Sequence, residues 1–261
     1  MALNPPIPPW NECRIWIIGA STGIGAATAR SLLAQGARVA ISARKTDQLT
    51  EVAAGTGARA LIEPLDFTDS AQVAAAWERV RKQWEGIDLV LVVAGTHQEI
   101  RAWQLTEANA MALLRTNLHG VIATVATVLP GLLEQGRGAL GIVASVAGYR
   151  GLPKALIYGA SKAALINFTE TLYLDLHPRG VGVYLINPGF VKTPLTDQND
   201  FNMPHLISAE EAAASLIAGL RAGEFEIDFP KTFTRQLKFL RVLPYRLYFA
   251  IVGRATRGAN K

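Results

Sequence analysis

Seven short runs of the chain are apolar at nearly every position: CRIWII, RVAISA, ARALIE, DLVLVV, ALGIVAS, VGVYLI and FEIDF. A strand with one wet face alternates apolar and polar residues. Strands that are apolar throughout need cover on both faces, as in a parallel sheet. The stretches between them, 24–35, 46–54, 69–85, 106–133, 155–177 and 209–222, carry apolar residues at helical spacing. Ser208 followed by Glu211 matches a capping box ahead of AAASLIAGL. Alternating strands and helices predict an α/β fold. It is a doubly wound parallel sheet of about seven strands, with helices on both faces and right-handed crossovers. Ligands of such sheets bind beyond the carboxyl ends of the strands, so the residues just after each strand are the candidates for chemistry.

Composition narrows the class. The 261 residues are 50% hydrophobic and 18% charged, which suits one large globular domain over 1–230 with a C-terminal extension of the same domain over 231–261. One cysteine, Cys13, excludes an intrachain disulfide and fits a reducing, cytoplasmic setting. His97, His119, His177 and His205 are scattered without metal-ligand spacing, so no metal site is expected. The opening MALNPPIPPW lacks the pattern of a signal peptide and reads as a short extended arm. No uninterrupted apolar run reaches the ~20 residues of a membrane span. Residues 231–261 hold eight basic and no acidic residues, leaving 18 basic against 21 acidic in the body. A mildly acidic body argues against nucleic acid as a partner.

The loop GASTGIGA follows the first strand and opens into the first helix. Its Gly19, Gly23 and Gly25 let the backbone turn tightly and approach a pyrophosphate. The helix N-terminus offers unpaired N–H groups and a positive dipole end. Farther on, YGASK sets Tyr158 and Lys162 one helical turn apart. An ammonium beside a phenol favours phenolate and lowers its pKa. Ser145 ends the fifth strand 13 residues earlier, Asn117 lies in the long helix after the fourth, and NPGFVKT follows the sixth.

These motifs, in this order, resemble those of short-chain dehydrogenases/reductases, in the single-domain Rossmann-type branch. The likeness runs from residue 13 to about 229. It implies an oxidoreductase that interconverts a carbonyl and an alcohol by hydride transfer. In it, Tyr158 exchanges the proton, Ser145 positions the substrate oxygen, and Lys162 tunes Tyr158 and holds the nicotinamide ribose. Asn117 would anchor a proton-relay water. Cofactor contacts are implied for the loop residues Gly19, Ser21, Thr22, Gly23, Ile24 and Gly25. Asp66 would touch adenine, while Ala94 and Gly95 would allow close approach. Pro188, Gly189, Val191 and Thr193 would orient the carboxamide, beside Tyr158 and Lys162. The second strand ends in SARK, where NAD-binding sheets usually carry an acid. Arg44 there favours NADP(H), with NAD(H) the alternative. The chain departs from the family at VVAG, residues 92–95, where N-N-A-G is usual.

Substrate contact is expected from Ser145, Tyr149 and Tyr158. Leu152, His97, Trp103, Leu195, Phe201 and Met203 are further candidates, in a lining that suits an apolar small molecule. Two readings compete with the reductase. A catalytically silent dinucleotide-binding sensor or scaffold would need no complete Asn117–Ser145–Tyr158–Lys162 set. A nucleotide-sugar epimerase or dehydratase would resemble a longer chain with another glycine spacing. The uncharged face of 117–133 and the helix after Tyr158 resemble the family's helix-pair interface and imply a homodimer or homotetramer. In the tail, Leu237, Phe239, Leu240 and Leu243 fall on one side of a helix and Arg235, Lys238 and Arg241 on the other. Such a basic amphipathic segment predicts either peripheral contact with a membrane surface or packing on the protein with its cations solvated.

Overall fold

The computed structural model describes residues 2–197 and 203–255. The elements alternate as β1 (Arg14–Ile18), α1 (Gly23–Ala34), β2 (Arg38–Ser42), α2 (Thr46–Val52), β3 (Ala60–Ile62), α3 (Ser70–Trp84) and β4 (Leu89–Val92). Then come α4 (Glu107–Leu114), α5 (Gly120–Gln135), β5 (Ala139–Val143), α6 (Leu156–Leu176), β6 (Gly182–Pro188), α7 (Ala209–Ala222) and β7 (Glu226–Phe229). Helices α8 (Lys231–Arg241) and α9 (Tyr245–Ala255) follow. All strands pair in parallel in the order β3-β2-β1-β4-β5-β6-β7, so chain direction across the sheet reverses between β1 and β4.

The apolar strands have a direct explanation. Trp16 and Ile18 of β1, with Val90 and Val92 of β4, face a core shared with α3, α5 and α6. Their neighbours Ile15, Ile17, Leu89 and Leu91 face a second core under α1, α2 and α7. Period-two alternation is therefore present, but both sides of it are buried. Val92 stands where the resembling family has asparagine, and apolar packing replaces polar bracing there.

The long helix expected over 106–133 is interrupted. α4 and α5 are joined by a π-helical turn, Arg115–His119, with Asn117 buried inside it. The continuous segment Glu107–Gln135 is also long and apolar enough, at mean hydropathy 1.4, to cross a membrane. That differs from the reading of single apolar runs. Val121, Val125, Val128 and Leu132 spend this apolarity on the core between α3 and the sheet.

The proline-rich arm is stitched to the sheet. Asn4 donates to the Val183 carbonyl at 2.8 Å and accepts from the Val183 amide at 2.8 Å. The tail packs on β7, which alters the expected division of its residues. Leu237 turns inward, whereas Phe239 is exposed on the opposite side. Its lysines are not simply solvated. Lys238 lies 2.8 Å from Glu226 and 3.1 Å from Asp228, and Lys231 lies 2.9 Å from Asp228.

One buried ion pair ties β1 to the segment before β4. Arg14 donates through Nε and Nη2 to the Asp88 carboxylate at 2.8 and 2.6 Å, and its Nη1 reaches the Trp84 and Glu85 carbonyls. Hydrogen bonds from Arg14 hold the Asp88 carboxyl below its usual range even though burial pushes it up. Asp88→Ala leaves a buried guanidinium unpaired, and urea unfolding is expected to read a loss of about 3–5 kcal/mol. Because the folded-state pKa of Asp88 is depressed, its contribution is present above the unfolded value near 4 and declines as pH falls through the folded one. The wild-type advantage over Asp88→Ala should therefore shrink in acid; an advantage that grew there would reject the account.

Candidate active site

At the carboxyl edge of the sheet, β1 and β4 send their chains apart and open a cleft of about 1050 Å³. The loop after β1 forms one wall. Gly19 has φ +93° and packs its α-carbon against Ala94; an added Cβ would sit 2.4 Å from the Ala94 nitrogen. At Gly25 a Cβ would lie 2.1 Å from the Gly19 carbonyl oxygen. Both positions press backbone on backbone, so no side chain could be accommodated by a small shift. The wall is bare main chain. Thr22, the N-cap of α1, makes no side-chain capping bond, which leaves the helix N-terminus to the cleft. Bare backbone beside an uncapped helix start is the surface a pyrophosphate requires, so these residues fit a dinucleotide.

Every residue expected at the cofactor lines this cleft: the loop from Gly19 to Gly25, Arg44, Asp66, Ala94 and Gly95, and Pro188, Gly189, Val191 and Thr193. Asp66 accepts from the Thr68 amide and hydroxyl at 2.9 and 2.8 Å. Those bonds first, and Arg44 and Arg115 to a lesser degree, hold its carboxyl below the ordinary range. Arg115 is exposed at the same cleft and was not singled out in the sequence. No spacing marks it; only the π-helical turn brings it there.

Ser145, Tyr158 and Lys162 converge on the opposite wall. Ser145 caps a short 3₁₀ turn by accepting from the Ala147 amide at 3.1 Å, which fixes its side chain at the end of β5. Lys162 is buried and donates to the Val143 carbonyl at 2.9 Å, across from its own helix. Burial pulls its ammonium down to about 8. Burial also pushes the Tyr158 phenol above its ordinary value, opposed by a hydrogen bond with Ser145. The expected lowering of Tyr158 by Lys162 is thus not what this geometry produces. The ammonium lies 5.9 Å from the ring centroid and is directed at a backbone carbonyl, and desolvation outweighs it.

Asn117 is fully buried. Its amide accepts from the Thr96 N–H and donates to the Thr96 carbonyl, each at 2.7 Å. Its side chain therefore ties the helix to the loop after β4, beside the position where the resemblance implies a relay water. A Cβ placed on Gly95 would be 3.4 Å from Asn117 Oδ1 and 3.5 Å from Lys162 Nζ, so both groups crowd the same glycine.

The substrate candidates divide. His97 sets its ring edge-on to Tyr158 at 4.8 Å, and burial lowers its imidazole pKa. Leu195 lines the cleft. Trp103 does not; it is 81% exposed beside Arg101. Tyr149 is also turned away. It is buried, with its hydroxyl donating to Glu226 Oε1, at the start of β7, at 2.6 Å. Leu152 and Met203 are half-buried, and Phe201 lies outside the described residues.

A family model described as short chain dehydrogenase matches residues 14–203. An uncharacterized oxidoreductase of Myxococcus xanthus is 36% identical over 242 residues, covering 91% of this chain and 95% of that protein. The 3-oxoacyl-[acyl-carrier-protein] reductase FabG of Thermotoga maritima is 32% identical over 213 residues, or 80% of this chain and 84% of that protein. A crystal structure of a short-chain dehydrogenase from Streptomyces avermitilis superposes with a TM-score of 0.79 over 95% of this chain and all of that one, at 22% identity. The last shares the fold.

The glycine wall carries a test. Gly25→Ala should displace the loop, lower stability by about 1–3 kcal/mol and weaken dinucleotide binding at least tenfold in a fluorescence titration. A variant that binds as the wild type does would remove the wall from the site.

Proposed function

The chain belongs to the short-chain dehydrogenase family, and from that premise we propose an NADP(H)-dependent carbonyl reductase with Tyr158 as its general acid. It is an NAD(P)-dependent oxidoreductase of carbonyl and alcohol groups. The observation that carries the finer reading is the convergence of Ser145, Tyr158 and Lys162 on the cleft wall facing the glycine loop. A silent scaffold has no use for that convergence.

The bound nicotinamide supplies the hydride, chemistry that no side chain here can perform. The loop of Gly19, Gly23 and Gly25 would take the pyrophosphate, and Arg44, just past β2 where the chain carries no acid of its own, would take a 2′-phosphate. Ser145 would hold the substrate oxygen by donating to it. Tyr158 would donate its phenolic proton to that oxygen as the carbonyl is reduced. Burial raises the phenol above its ordinary value, so Tyr158 holds its proton at neutral pH and is able to act as the acid when a carbonyl is reduced. Lys162, held by Val143, would hold the nicotinamide ribose, while Asn117 fixes the loop that carries Gly95 and Thr96.

Three measurements test the reading. Tyr158→Phe should keep cofactor affinity and lose turnover by ~10²–10⁴-fold; near-wild-type turnover on the best of a ketone, aldehyde and quinone panel would exclude Tyr158 as the acid. NADPH should bind roughly tenfold or more tighter than NADH, with the gap closing in Arg44→Ala, as one charge-assisted phosphate contact implies. Equal affinities in the wild type would end the NADP(H) assignment. The kcat/KM profile for reduction should be flat below about 8 and fall above it as Lys162 loses its charge, since the raised Tyr158 remains protonated there. A profile that rises with pH would mean that the base form acts.

The outer surfaces of α5 and α6 leave Ile122 and Leu174 exposed, which supports association with further copies of the chain as a homodimer or homotetramer. Light scattering at micromolar concentration should give a multiple of 28.1 kDa.

A further inference from the structure

Helices α8 and α9 attach to the body through one side only. Phe233 and Thr234 are buried on β7, and Lys238 is spent on Glu226 and Asp228. Tyr248, buried, donates its hydroxyl to the Gly151 carbonyl at 2.6 Å. Arg150 locks the joint: its Nη1 donates to the carbonyls of Leu240, Arg241 and Leu243, and its guanidinium lies 4.7 Å from the Tyr245 ring and 4.0 Å from the Tyr248 ring. Helices α8 and α9 are thus packed on the body, and their inner face is accounted for by these contacts.

The outer face is not. Phe239 and Phe249 are each 64% exposed, Val242 77% and Leu247 55%, with Ile251 exposed beside them. Nowhere else among the described residues do so many large apolar side chains stand in solvent within so short a span. Arg246 and Arg254 lie two turns apart on this side of α9, with Leu247 and Ile251 as the adjacent row, and Arg235 is exposed on α8. Arg235, Arg246 and Arg254 form no ion pair among the described residues. No acidic residue occurs anywhere in 231–261.

We propose that this outer face of α8 and α9 is a docking surface for an anionic lipid bilayer. Guanidinium groups suit lipid phosphates, and phenyl and aliphatic groups suit the acyl boundary beneath them. Each helix has 11 residues, about 16 Å, and lies in the interface because it is far shorter than the ~30 Å hydrocarbon core. Charge argues against a second copy of the chain as the occupant. Self-complementary pairing would set arginine against arginine, with no carboxylate in the segment to separate them.

Sedimentation of the full-length protein with vesicles tests this, using phosphatidylcholine alone and phosphatidylcholine mixed with phosphatidylglycerol. Binding is expected on the anionic vesicles only and should weaken as salt rises. Each cation near such a surface contributes about fivefold to partitioning, so Arg246→Gln with Arg254→Gln should lower it roughly tenfold or more. Phe239→Ser should also lower it, while circular dichroism melts of both variants match the wild type because Phe239, Arg246 and Arg254 all point away from the inner face. Absence of binding by folded protein at low salt would overturn the proposal, as would undiminished binding by the variants. A molecular mass that falls in the phenylalanine variant, without vesicle binding by the wild type, would assign the face to a second copy instead.

Discussion

The amides of Val93 and Ala94 both donate to the Ile18 carbonyl, at 2.8 and 3.0 Å, and this small junction organises the whole cleft. It lies where β1 gives way to β4 and chain direction across the sheet reverses. Crossovers on the two sides of that point cover opposite halves of the sheet, and the strand ends between them stay open. Gly19 leaves the junction at a positive φ that carries the loop to the start of α1, and it does so pressed against Ala94. The residues after β5 and β6 then face the same opening. A side chain at Gly19 or Gly25 would separate elements that the site needs in contact.

Across the cleft, burial decides the protonation states. Tyr158 and Lys162 stand one turn apart, yet their relation is indirect. The ammonium is held by Val143 on β5, and the phenol lies beside Ser145 at the end of that strand. Each group is anchored to the sheet rather than to its helical neighbour. Desolvation raises the phenol and lowers the ammonium, so both move toward their neutral forms.

Behind that wall a polar network joins the catalytic loop to the tail. Glu226 accepts from the Tyr149 hydroxyl at 2.6 Å and from Asn187 at 2.8 Å, and its other oxygen meets Lys238. Tyr149 lies four residues past Ser145, and Asn187 directly precedes Pro188 and Gly189. The tail's ammonium therefore neutralises a carboxylate that braces loops on both sides of the cleft. The tail belongs to the support of the site on its inner side, and that support is what leaves its outer side for another surface.

Much of this was legible in the residues themselves. Buried parallel strands announce themselves as unbroken apolar runs, glycine spacing marks a backbone wall, and Ser208 with Glu211 marks the start of α7, which runs over 209–222 as expected. The residues that line the cleft could be read because most of them lie just past a strand, at positions set by local chain order. What chain order does not encode is direction across space. Position after β5 points Tyr149 at the substrate, and only packing turns it to Glu226. Helical spacing pairs Lys162 with Tyr158, and only the approach of β5 supplies the carbonyl that holds it. Phe239 and Leu237 share a hydrophobic arc in projection, but β7 covers one and not the other. The π-helical turn that buries Asn117 and brings Arg115 to the cleft has no signature in its residues. Local sequence determined the elements and the loop chemistry, because propensity, capping and glycine conformation act within a few residues. Tertiary structure alone decided the partners and protonation of the buried polar groups, because both depend on desolvation and on atoms tens or hundreds of positions away.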